Sequence, residues 1–470
     1  MSTHILLLLI IGASLALKSN PLKEYVFSPD PTYKWEKVSS FTGPGFNADV
    51  LKLTSQTWLK PDEVSETVWE HYLVIATPDV VKYDNAFLYV TGSSNPLGNP
   101  PTTIDPIALP ILMESSVVAI LYQVPNQPLV FADDPKGPLK RYEDALIAFT
   151  WWDFAHNLDP MILARLPMVK SVVKAMDAVQ EYFQKKQSNV EINTFVVAGA
   201  SKRGWTTWLT PIDERVIGIV PVVIDVLNAV KSINHHWRVY GFFSFALNDY
   251  VEMGTIGWLN TEETTEMMNI IDPFEYRDEF TLPKYIVNAA GDEFFLPDSS
   301  QFYYDELKGK KNIRYVPNTG HSMGGEAGIS AAISVGTWYY ALMNDISVPE
   351  ISWEINKHTG RIVVKTEVLP SKVLMWQAYN PRTRDFRANP NPIPWTSTEL
   401  RRENDGTYIG RPQIPEEGWR AAFVECHFSI DGREFIQTSA VSVVPDVLPF
   451  PPCGFPCECK DDCPPGPPVH

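Results

Sequence analysis

Between about residue 72 and residue 340, apolar residues form short, nearly unbroken runs that alternate with segments of helical spacing. These runs are rich in β-branched residues and predict strands buried on both faces of a parallel sheet, because a half-exposed strand would alternate apolar and polar positions. They are 87–90, 117–122, 194–198, 216–224, 285–289 and 313–316. From Met168 to Phe183 apolar side chains recur at helical spacing, which predicts an amphipathic crossover helix. The alternation predicts an α/β fold with a doubly wound, mostly parallel sheet.

The segment 226–282 interrupts this alternation and has the pattern of helices rather than strands. In an open α/β sheet, insertions at the carboxyl ends of strands cover the ligand crevice. We therefore expect 226–282 to be a helical cap. Its aromatic residues are Trp237, Tyr240, Phe242, Phe243, Phe245 and Trp258.

After residue 345 the pattern changes to short alternating segments separated by turn residues. Segments such as 351–355, 361–365 and 435–439 predict a small antiparallel β-rich module over 346–444. The stretch 445–470 is rich in proline and cysteine, which favours an extended tail over a further domain. The main α/β domain then occupies 17–345.

The N-terminus carries an apolar run over 5–17, interrupted only by Gly12 and Ser14. This length suits a signal peptide and is short for a membrane-spanning helix. Small residues at Ser14 and Ala16 offer a cleavage site, so we expect a signal peptide over 1–16 and a secreted, extracellular chain beginning near Leu17. No other run is long enough to predict a membrane span.

Composition and charge exclude two classes of protein. Among 470 residues, 44% are hydrophobic, which is typical of a packed globular chain rather than a disordered one. The formal net charge of −17, without a long basic run, argues against a nucleic-acid partner, because phosphate contacts need clustered Lys and Arg.

Four of the five cysteines lie together in the tail, at Cys453, Cys457, Cys459 and Cys463. An even cluster in a secreted chain predicts two local disulfides, with three pairings open. The spacing is not that of a zinc site. Cys426 lies in an apolar run, which favours a buried, inert thiol.

The sequence at 194–209 is typical of a nucleophile elbow. A buried strand leads directly into Gly199, Ala200 and Ser201, after which a helical pattern begins at Lys202. Such a turn lifts one serine hydroxyl above the sheet and needs small neighbours, because strand and helix approach closely. Arg203 stands where the second glycine of the usual G-x-S-x-G pattern would be, and Gly204 follows it.

A serine nucleophile needs a histidine base and a carboxylate that orients the base, and this fold supplies them later in the chain. Asp292 follows the strand 285–289, and His321 follows the strand 313–316, each on a short turn that contains glycine. The carboxyl ends of parallel strands meet at one edge of the sheet, so we expect Ser201, Asp292 and His321 to form a catalytic triad. Asp225, after the strand 216–224, is the reserve acid.

Oxyanion donors are expected from the backbone N–H groups of Lys202 and of the loop at Thr91 and Gly92. The positive charges of Lys202 and Arg203 beside the nucleophile suit an oxyanion or an anionic substrate. A solvated basic patch on the helix is the competing interpretation.

The residues predict neither a cofactor nor a metal. His235 and His236 are adjacent on a predicted helix, where neighbouring side chains diverge by about 100°. Neither has a carboxylate four residues later, so we do not expect them to bind a metal. Glu143 and Asp144 precede an apolar helix and are interpreted as first-turn charges that favour the helix dipole.

Several long segments resemble the PhoPQ-activated pathogenicity-related family, which includes secreted autocrine proliferation repressors. They are 143–151, 165–180, 199–205 (GASKRGW), 222–228, 272–277, 291–299 (GDEFFLPDS) and 315–321 (YVPNTGH). The resemblance extends from about 30 to 450 and implies an α/β-hydrolase fold, with Ser201, Asp292 and His321 on its motif positions. It makes Arg203 a family trait, and the elbow is also similar to the shifted elbow of glucuronoyl esterases.

Two functions follow from these features. The first is a secreted serine hydrolase that cleaves an ester or amide, from a small-molecule, glycan or peptide substrate, through an acyl-enzyme. The second is an extracellular signalling protein that represses proliferation through a cell-surface receptor and uses the hydrolase scaffold as a platform, since fold does not determine function. The order Ser, acid, His favours the first, and the proliferation-repressor branch of the family favours the second.

Overall fold

A computed structural model of the protein describes residues 20–187 and 189–454. Nine strands of this described part form one sheet in the order β1-β2-β3-β5-β4-β6-β7-β8-β9. The strands from β5 to β9 in this order pair in parallel, whereas β1, β2 and β3 pair antiparallel with their neighbours. Their bounds are Lys34–Gly43 (β1), Phe46–Thr57 (β2), Val68–Pro78 (β3), Asn85–Val90 (β4), Val117–Leu121 (β5), Thr194–Ala200 (β6), Val216–Val222 (β7), Lys284–Ala289 (β8) and Lys311–Val316 (β9).

The central strands are buried on both faces, as their unbroken apolar runs predict. Every residue of β5 is buried, and the adjacent residues Phe87 and Leu88 of β4 enter the two different apolar cores on either side of the sheet. The parallel strands are arranged in the order β5-β4-β6-β7-β8-β9. After β4 the chain adds β5 on one side of it and then adds β6 to β9 on the other side. The fold is therefore a doubly wound, mostly parallel α/β-hydrolase sheet, as predicted.

Helices cover both faces of the sheet. The bounds are Pro21–Phe27 (α1), Leu109–Met113 (α2), Glu143–Asn157 (α3), Arg165–Lys185 (α4), Lys202–Leu209 (α5), Ala229–Tyr240 (α6), Asn248–Glu252 (α7), Glu262–Ile271 (α8) and Gly325–Met343 (α9). Buried residues of α3, α4 and α5 pack in one core, and those of α2 and α9 pack in the other. The predicted crossover helix is α4.

Residues 226–282 are all described, and their regular structure consists of α6, α7, α8 and three short 3-10 turns. Side chains of this segment, including Leu247 and Ile256, line a cleft together with Ser201. The segment therefore covers the carboxyl end of the sheet, where a cap is expected.

The C-terminal part forms two antiparallel sheets, with strand orders β10-β11-β14 and β13-β12-β15-β16, and β17 pairs with β15. Their bounds are Ile351–Ile355 (β10), Ile362–Thr366 (β11), Lys372–Asn380 (β12), Thr396–Glu399 (β13), Tyr408–Gly410 (β14), Trp419–Ile430 (β15), Arg433–Thr438 (β16) and Ser442–Val444 (β17). Thr438 accepts a hydrogen bond from the backbone of Tyr315 at 3.1 Å, and Gln437 accepts one from Asn312 at 2.8 Å. These contacts join the small sheets to β9 of the main sheet.

The predicted signal peptide, and the tail cysteines Cys457, Cys459 and Cys463, lie outside the described residues. Cys453 and Cys426 are both buried. The disulfide arrangement stays a prediction. Within 20–187 and 189–454, no helix has the length and apolar character needed to cross a membrane.

Candidate active site

Ser201 lies in a strained turn between β6 and α5. Its φ is +56° and its ψ is −121°, a backbone conformation that costs energy for a residue with a side chain. Two hydrogen bonds hold it there: the Ser201 N–H donates to the Val222 carbonyl at 2.8 Å, and the Ser201 carbonyl accepts from Trp205 N–H at 2.9 Å. The hydroxyl therefore stands at the carboxyl end of the sheet, as a nucleophile elbow requires.

Glycines on both sides of Ser201 permit this turn. A Cβ on Gly199 would lie 2.7 Å from the Arg203 carbonyl oxygen and 2.9 Å from Thr207 Oγ1. One on Gly204 would lie 3.0 Å from the Gly199 and Val222 carbonyl oxygens. Gly204 therefore does the packing that the second glycine of the usual elbow pattern does, one position later in the chain.

The structure brings Ser201, His321 and Asp292 together in one hydrogen-bonded chain. His321 Nε2 lies 2.8 Å from Ser201 Oγ, and His321 Nδ1 lies 3.0 and 2.9 Å from the two carboxylate oxygens of Asp292. Asp292 follows β8 and His321 follows β9. Both side chains come from carboxyl ends of adjacent parallel strands, as the sequence predicts.

Backbone groups fix the orientation of the Asp292 carboxylate. Asp292 Oδ1 accepts hydrogen bonds from Phe294 N–H at 2.8 Å and Phe295 N–H at 3.2 Å. The backbone N–H of His321 donates to Glu293 Oε2 at 2.7 Å, which ties the two turns to each other. The Phe294 ring packs against the imidazole, with 4.3 Å between ring centroids.

Opposing effects act on the pKa of the His321 imidazole. Burial lowers it, but the negative charge of Asp292 and its hydrogen bond to Nδ1 raise it by more, so the pKa lies above its ordinary value of 6.5. A carboxylate at Nδ1 also keeps Nε2 free of a proton in the neutral ring, so that Nε2 can accept the serine proton.

Asp225 lies at the same edge of the sheet but bonds to other partners. Its two carboxyl oxygens accept hydrogen bonds from the Tyr303 hydroxyl at 2.6 Å and the Tyr315 hydroxyl at 2.7 Å. Burial raises the pKa of this carboxyl to about 7, and those hydrogen bonds oppose the rise. The residue in contact with His321 is Asp292.

The predicted oxyanion donors have different surroundings. Lys202 is the first residue of α5, so its N–H has no acceptor within the helix. The Thr91 N–H donates to the Leu121 carbonyl at 2.8 Å, which commits it to the sheet. Gly92 adjoins the Arg203 guanidinium, and a Cβ there would lie 2.9 Å from Arg203 Cζ. Lys202 is thus better placed than Thr91 to donate to an oxyanion.

Two ion pairs neutralise the basic side chains of the elbow. Arg203 donates to both carboxylate oxygens of Glu143, at 2.7 and 2.6 Å, and its Nε bonds to the Val124 carbonyl. Lys202 Nζ bonds to Asp144 Oδ2 at 2.6 Å and lies 3.4 Å from Glu143. Glu143 and Asp144 are therefore the counterions of the elbow as well as first-turn residues of α3. The guanidinium of Arg203 is bound to this carboxylate rather than open to an anion.

We expect Glu143→Gln to lower the free energy of unfolding by about 1–3 kcal/mol at neutral pH, because Arg203 is buried and loses its counterion. The pKa of Glu143 falls from 4.5 to about 2, since Arg203 outweighs the effect of burial. A lowered pKa stabilises the fold above pH 4.5, and this contribution disappears as the pH falls towards 2. Denaturant unfolding at pH 7 and pH 3 checks this, with exposed Glu326→Gln as the control. An equal difference at both pH values would contradict the ion pair's role.

The C-terminal module supports the turns that carry the acid and the base. The N–H of Ala388 donates to the Gly291 carbonyl at 2.7 Å, directly before Asp292. The Asn318 side chain, three residues before His321, exchanges hydrogen bonds with the backbone of Trp395 at 3.0 and 2.8 Å. The segment between β12 and β13 thus holds both turns in place from outside the main sheet.

A narrow cleft next to Ser201 has a cavity volume of about 50 Å³. Its walls come from the elbow, the cap and the segment after Asp292, and most of them are apolar or aromatic. Charged side chains, including the carboxyl groups of Asp144 and Asp225, also line it, as do polar ones such as Ser232 and His236. The lining includes Asp144, Trp151, Arg165, Ser201, Lys202, Trp205, Ile224, Asp225, Tyr250, Phe294 and Phe295.

Within the described residues, no group of three or more His, Cys, Asp or Glu side chains is placed to hold a metal ion. The His235 and His236 side chains contact different partners. His235 Nε2 lies 3.1 Å from Asp298, and His236 Nε2 accepts from the Ser244 N–H at 3.0 Å.

Sequence comparisons agree with one another. Residues 22–387 match the family described as PhoPQ-activated pathogenicity-related protein. Autocrine proliferation repressor protein A of Dictyostelium discoideum is 39% identical over 487 aligned residues, which cover 98% of this chain and 97% of that protein.

Solved structures with a similar fold are more distant. The acetyl xylan esterase of Paenibacillus sp. R4 has 14% identity and a TM-score of 0.47, over 68% of this chain and 92% of that one. Acetyl xylan esterase 1 of a Thermoanaerobacterium species has 14% identity and a TM-score of 0.46, over 66% and 89%. A glucuronoyl esterase of Solibacter usitatus has 13% identity and a TM-score of 0.38, over 66% and 89%.

Proposed function

Because the chain belongs to the PhoPQ-activated pathogenicity-related protein family and has an α/β-hydrolase fold, we propose that it is a secreted serine hydrolase. It cleaves an ester or an amide through an acyl-enzyme on Ser201. The observation that carries this proposal is the hydrogen-bonded chain Ser201–His321–Asp292, with 2.8 Å between Ser201 Oγ and His321 Nε2. Secretion rests on the apolar run over 5–17.

In the proposed mechanism, Ser201 Oγ attacks the substrate carbonyl carbon while His321 Nε2 accepts the hydroxyl proton. The N–H of Lys202 donates to the resulting oxyanion. When the intermediate collapses, His321 gives the proton to the leaving oxygen or nitrogen, and the acyl group stays on Ser201. A water molecule, deprotonated by His321, then attacks the acyl-enzyme. As this second intermediate collapses, the bond between the acyl carbon and Ser201 Oγ breaks, His321 returns the proton to Oγ, and the acid product leaves. Asp292 orients His321 and stabilises the imidazolium throughout.

A fluorophosphonate probe tests the nucleophile without knowledge of the substrate. The purified wild-type protein is expected to react at one serine, and Ser201→Ala is expected not to react. Absence of labelling in correctly folded wild-type protein would refute the enzymatic proposal. Circular dichroism of both proteins verifies that the variant retains the fold.

A second function is favoured by the 39% identity, over nearly the whole chain, to a protein named for autocrine repression of proliferation. We propose that this chain represses proliferation from outside the cell by binding a receptor, with or without catalysis. Added wild-type and Ser201→Ala proteins are compared for their effect on the growth rate of the producing cells. If both repress growth equally, the signalling role does not need the nucleophile; if only the wild type does, it depends on catalysis.

A further inference from the structure

Arg165 is a buried cation in the wall of the cleft beside Ser201. It is the first residue of α4, and only 2% of its surface is exposed. Its Nη1 donates to the Lys202 carbonyl at 2.9 Å, and its buried Nε has no hydrogen-bond partner. A guanidinium has five N–H donors, so most of the hydrogen-bonding capacity of Arg165 is unused.

The carboxylates around Arg165 are bound to other cations. Asp144 bonds to Lys202 and also accepts a hydrogen bond from the Tyr250 hydroxyl at 3.0 Å, and Glu143 bonds to Arg203. Within residues 20–187 and 189–454, no carboxylate oxygen lies within ion-pair distance of the Arg165 guanidinium. The charge of Asp144 acts on Arg165 from a distance and raises its pKa, but the Asp144 oxygens are bonded to Lys202 and Tyr250. The Arg165 guanidinium therefore has no carboxylate bonded to it.

An aromatic ring lies against this cation, and further rings pack behind it. The Arg165 guanidinium lies 4.6 Å from the centroid of the Trp205 ring. Trp151 packs edge-on to Trp205 and is tilted against Tyr250, with centroids 5.9 and 5.2 Å apart. Burial lowers the pKa of Arg165 to about 10, so it keeps its charge at neutral pH. An unpaired charge in such surroundings is costly unless an anion joins it.

We propose that Arg165 binds a carboxylate on the acyl group of the substrate, so that the enzyme prefers monoesters or monoamides of dicarboxylic acids. This inference rests on the proposed hydrolase function and specifies its substrate class. Arg165 and Ser201 both line the cleft, together with apolar side chains such as Ile224 and Phe295. An acyl chain with a terminal carboxylate matches that arrangement.

The position of the base, His321, indicates which part of the substrate enters the cleft: the acyl group or the leaving group. His321 must lie beside the leaving group in order to protonate it, but His321 is absent from the described residues that line the cleft. Ser201 and Lys202 do line it. The cleft therefore receives the acyl part of the substrate, and the leaving group lies on the His321 side.

The test compares matched substrates on the full-length protein. The 4-nitrophenyl monoesters of dicarboxylic acids, from glutaric to suberic acid, are each paired with the ester in which a carboxamide replaces the free carboxylate. At least one pair is expected to show about a 10- to 100-fold higher kcat/KM for the carboxylate, because a buried cation gains its partner. Hydrolysis of the carboxamides without any preference for a carboxylate would overturn the inference and leave the hydrolase function intact.

Variants separate recognition from general damage. Arg165→Met is expected to remove the preference while it still hydrolyses the carboxamide esters. Arg314→Met, another buried arginine with an unpartnered Nε, is the control and is expected to keep the preference. Retained preference in Arg165→Met would overturn the proposal. If Arg165→Met does not fold, the wild-type comparison decides alone.

Direct binding distinguishes failure of this inference from failure of the proposed function. Titration calorimetry of the Ser201→Ala protein with the monoamides of the dicarboxylic acids and with the corresponding diamides requires no turnover. Tighter binding of a monoamide, in a protein whose wild type hydrolyses no ester, would support the carboxylate site and refute the enzyme. Equal binding of monoamide and diamide would refute the carboxylate site.

Discussion

Replacement of His321 with alanine is expected to lower kcat for ester hydrolysis by about 10⁵- to 10⁶-fold. The imidazole accepts the Ser201 proton and later protonates the leaving group, and its Nε2 lies 2.8 Å from the hydroxyl. Without it, Ser201 stays a neutral alcohol. The residual rate then comes from the oxyanion donors and from substrate binding. Steady-state kinetics with a 4-nitrophenyl ester measures the loss.

His427→Ala is the matched control for this prediction. His427 also bonds to a carboxylate, with its Nε2 2.9 Å from Glu425 Oε1, but it lies on β15 of the C-terminal module. We expect it to keep kcat within a fewfold of the wild type. The double variant Ser201→Ala/His321→Ala is expected to be no slower than either single variant, because the two residues act as a unit. A loss below about tenfold in His321→Ala would exclude a general-base role.

Asp292→Asn is expected to lower kcat by about 10⁴-fold, which is the effect of the equivalent change in a serine triad of this kind. The asparagine amide donates to Nδ1, which places the proton of the neutral ring on Nε2, where it blocks transfer from Ser201. The change also removes the charge that raises the pKa of His321. The acidic limb of the kcat/KM profile, where activity rises as His321 loses its proton, is therefore expected to move to lower pH.

Asp225→Asn tests the alternative acid. Both carboxyl groups are buried, with 4% of Asp292 and 3% of Asp225 exposed, so burial alone does not separate them. Asp225 bonds to Tyr303 and Tyr315 rather than to His321. We expect Asp225→Asn to keep most of the activity and the position of the acidic limb. A larger loss in Asp225→Asn than in Asp292→Asn would show that the acid is misassigned.

The sequence was most informative about strands that are buried on both faces. Their unbroken apolar runs indicate where each strand ends, and the residue after the end enters the active-site edge. Asp292 and His321 are predicted in this way. The apolar runs do not predict β1, β2 or β3, which form the antiparallel side of the sheet. Most of β1 is exposed or half-exposed, so it has no continuous apolar run.

Contacts between distant parts of the chain were harder to predict. Glu143 and Arg203 are 60 positions apart, and only the fold reveals that they bond to each other. A basic side chain beside a nucleophile has the same sequence signal whether it is free to bind an anion or already paired. The sequence does contain one hint of this contact. An acidic pair begins α3 and a basic pair begins α5, and their opposite charges favour an arrangement in which the two helix starts face each other.

It is equally hard to predict from the sequence which backbone N–H groups of the loop after β4 are free to donate a hydrogen bond. Glycine at 92 correctly indicates a close approach, but the group that approaches is the Arg203 guanidinium. The Thr91 N–H bonds to Leu121 in the neighbouring strand. Residue type alone does not tell which N–H groups remain unpaired, because this depends on the pairing of β4 with β5.

The central claim is that Ser201 carries the acyl group during turnover. The most direct test mixes the protein with 4-nitrophenyl acetate, stops the reaction with acid, and locates the acetyl group by peptide mass spectrometry. We predict one acetyl group per molecule, on Ser201, formed in a burst with one equivalent of 4-nitrophenol. Sustained release of 4-nitrophenol with the acetyl group on another residue, or at an undiminished rate in Ser201→Ala, would contradict this account.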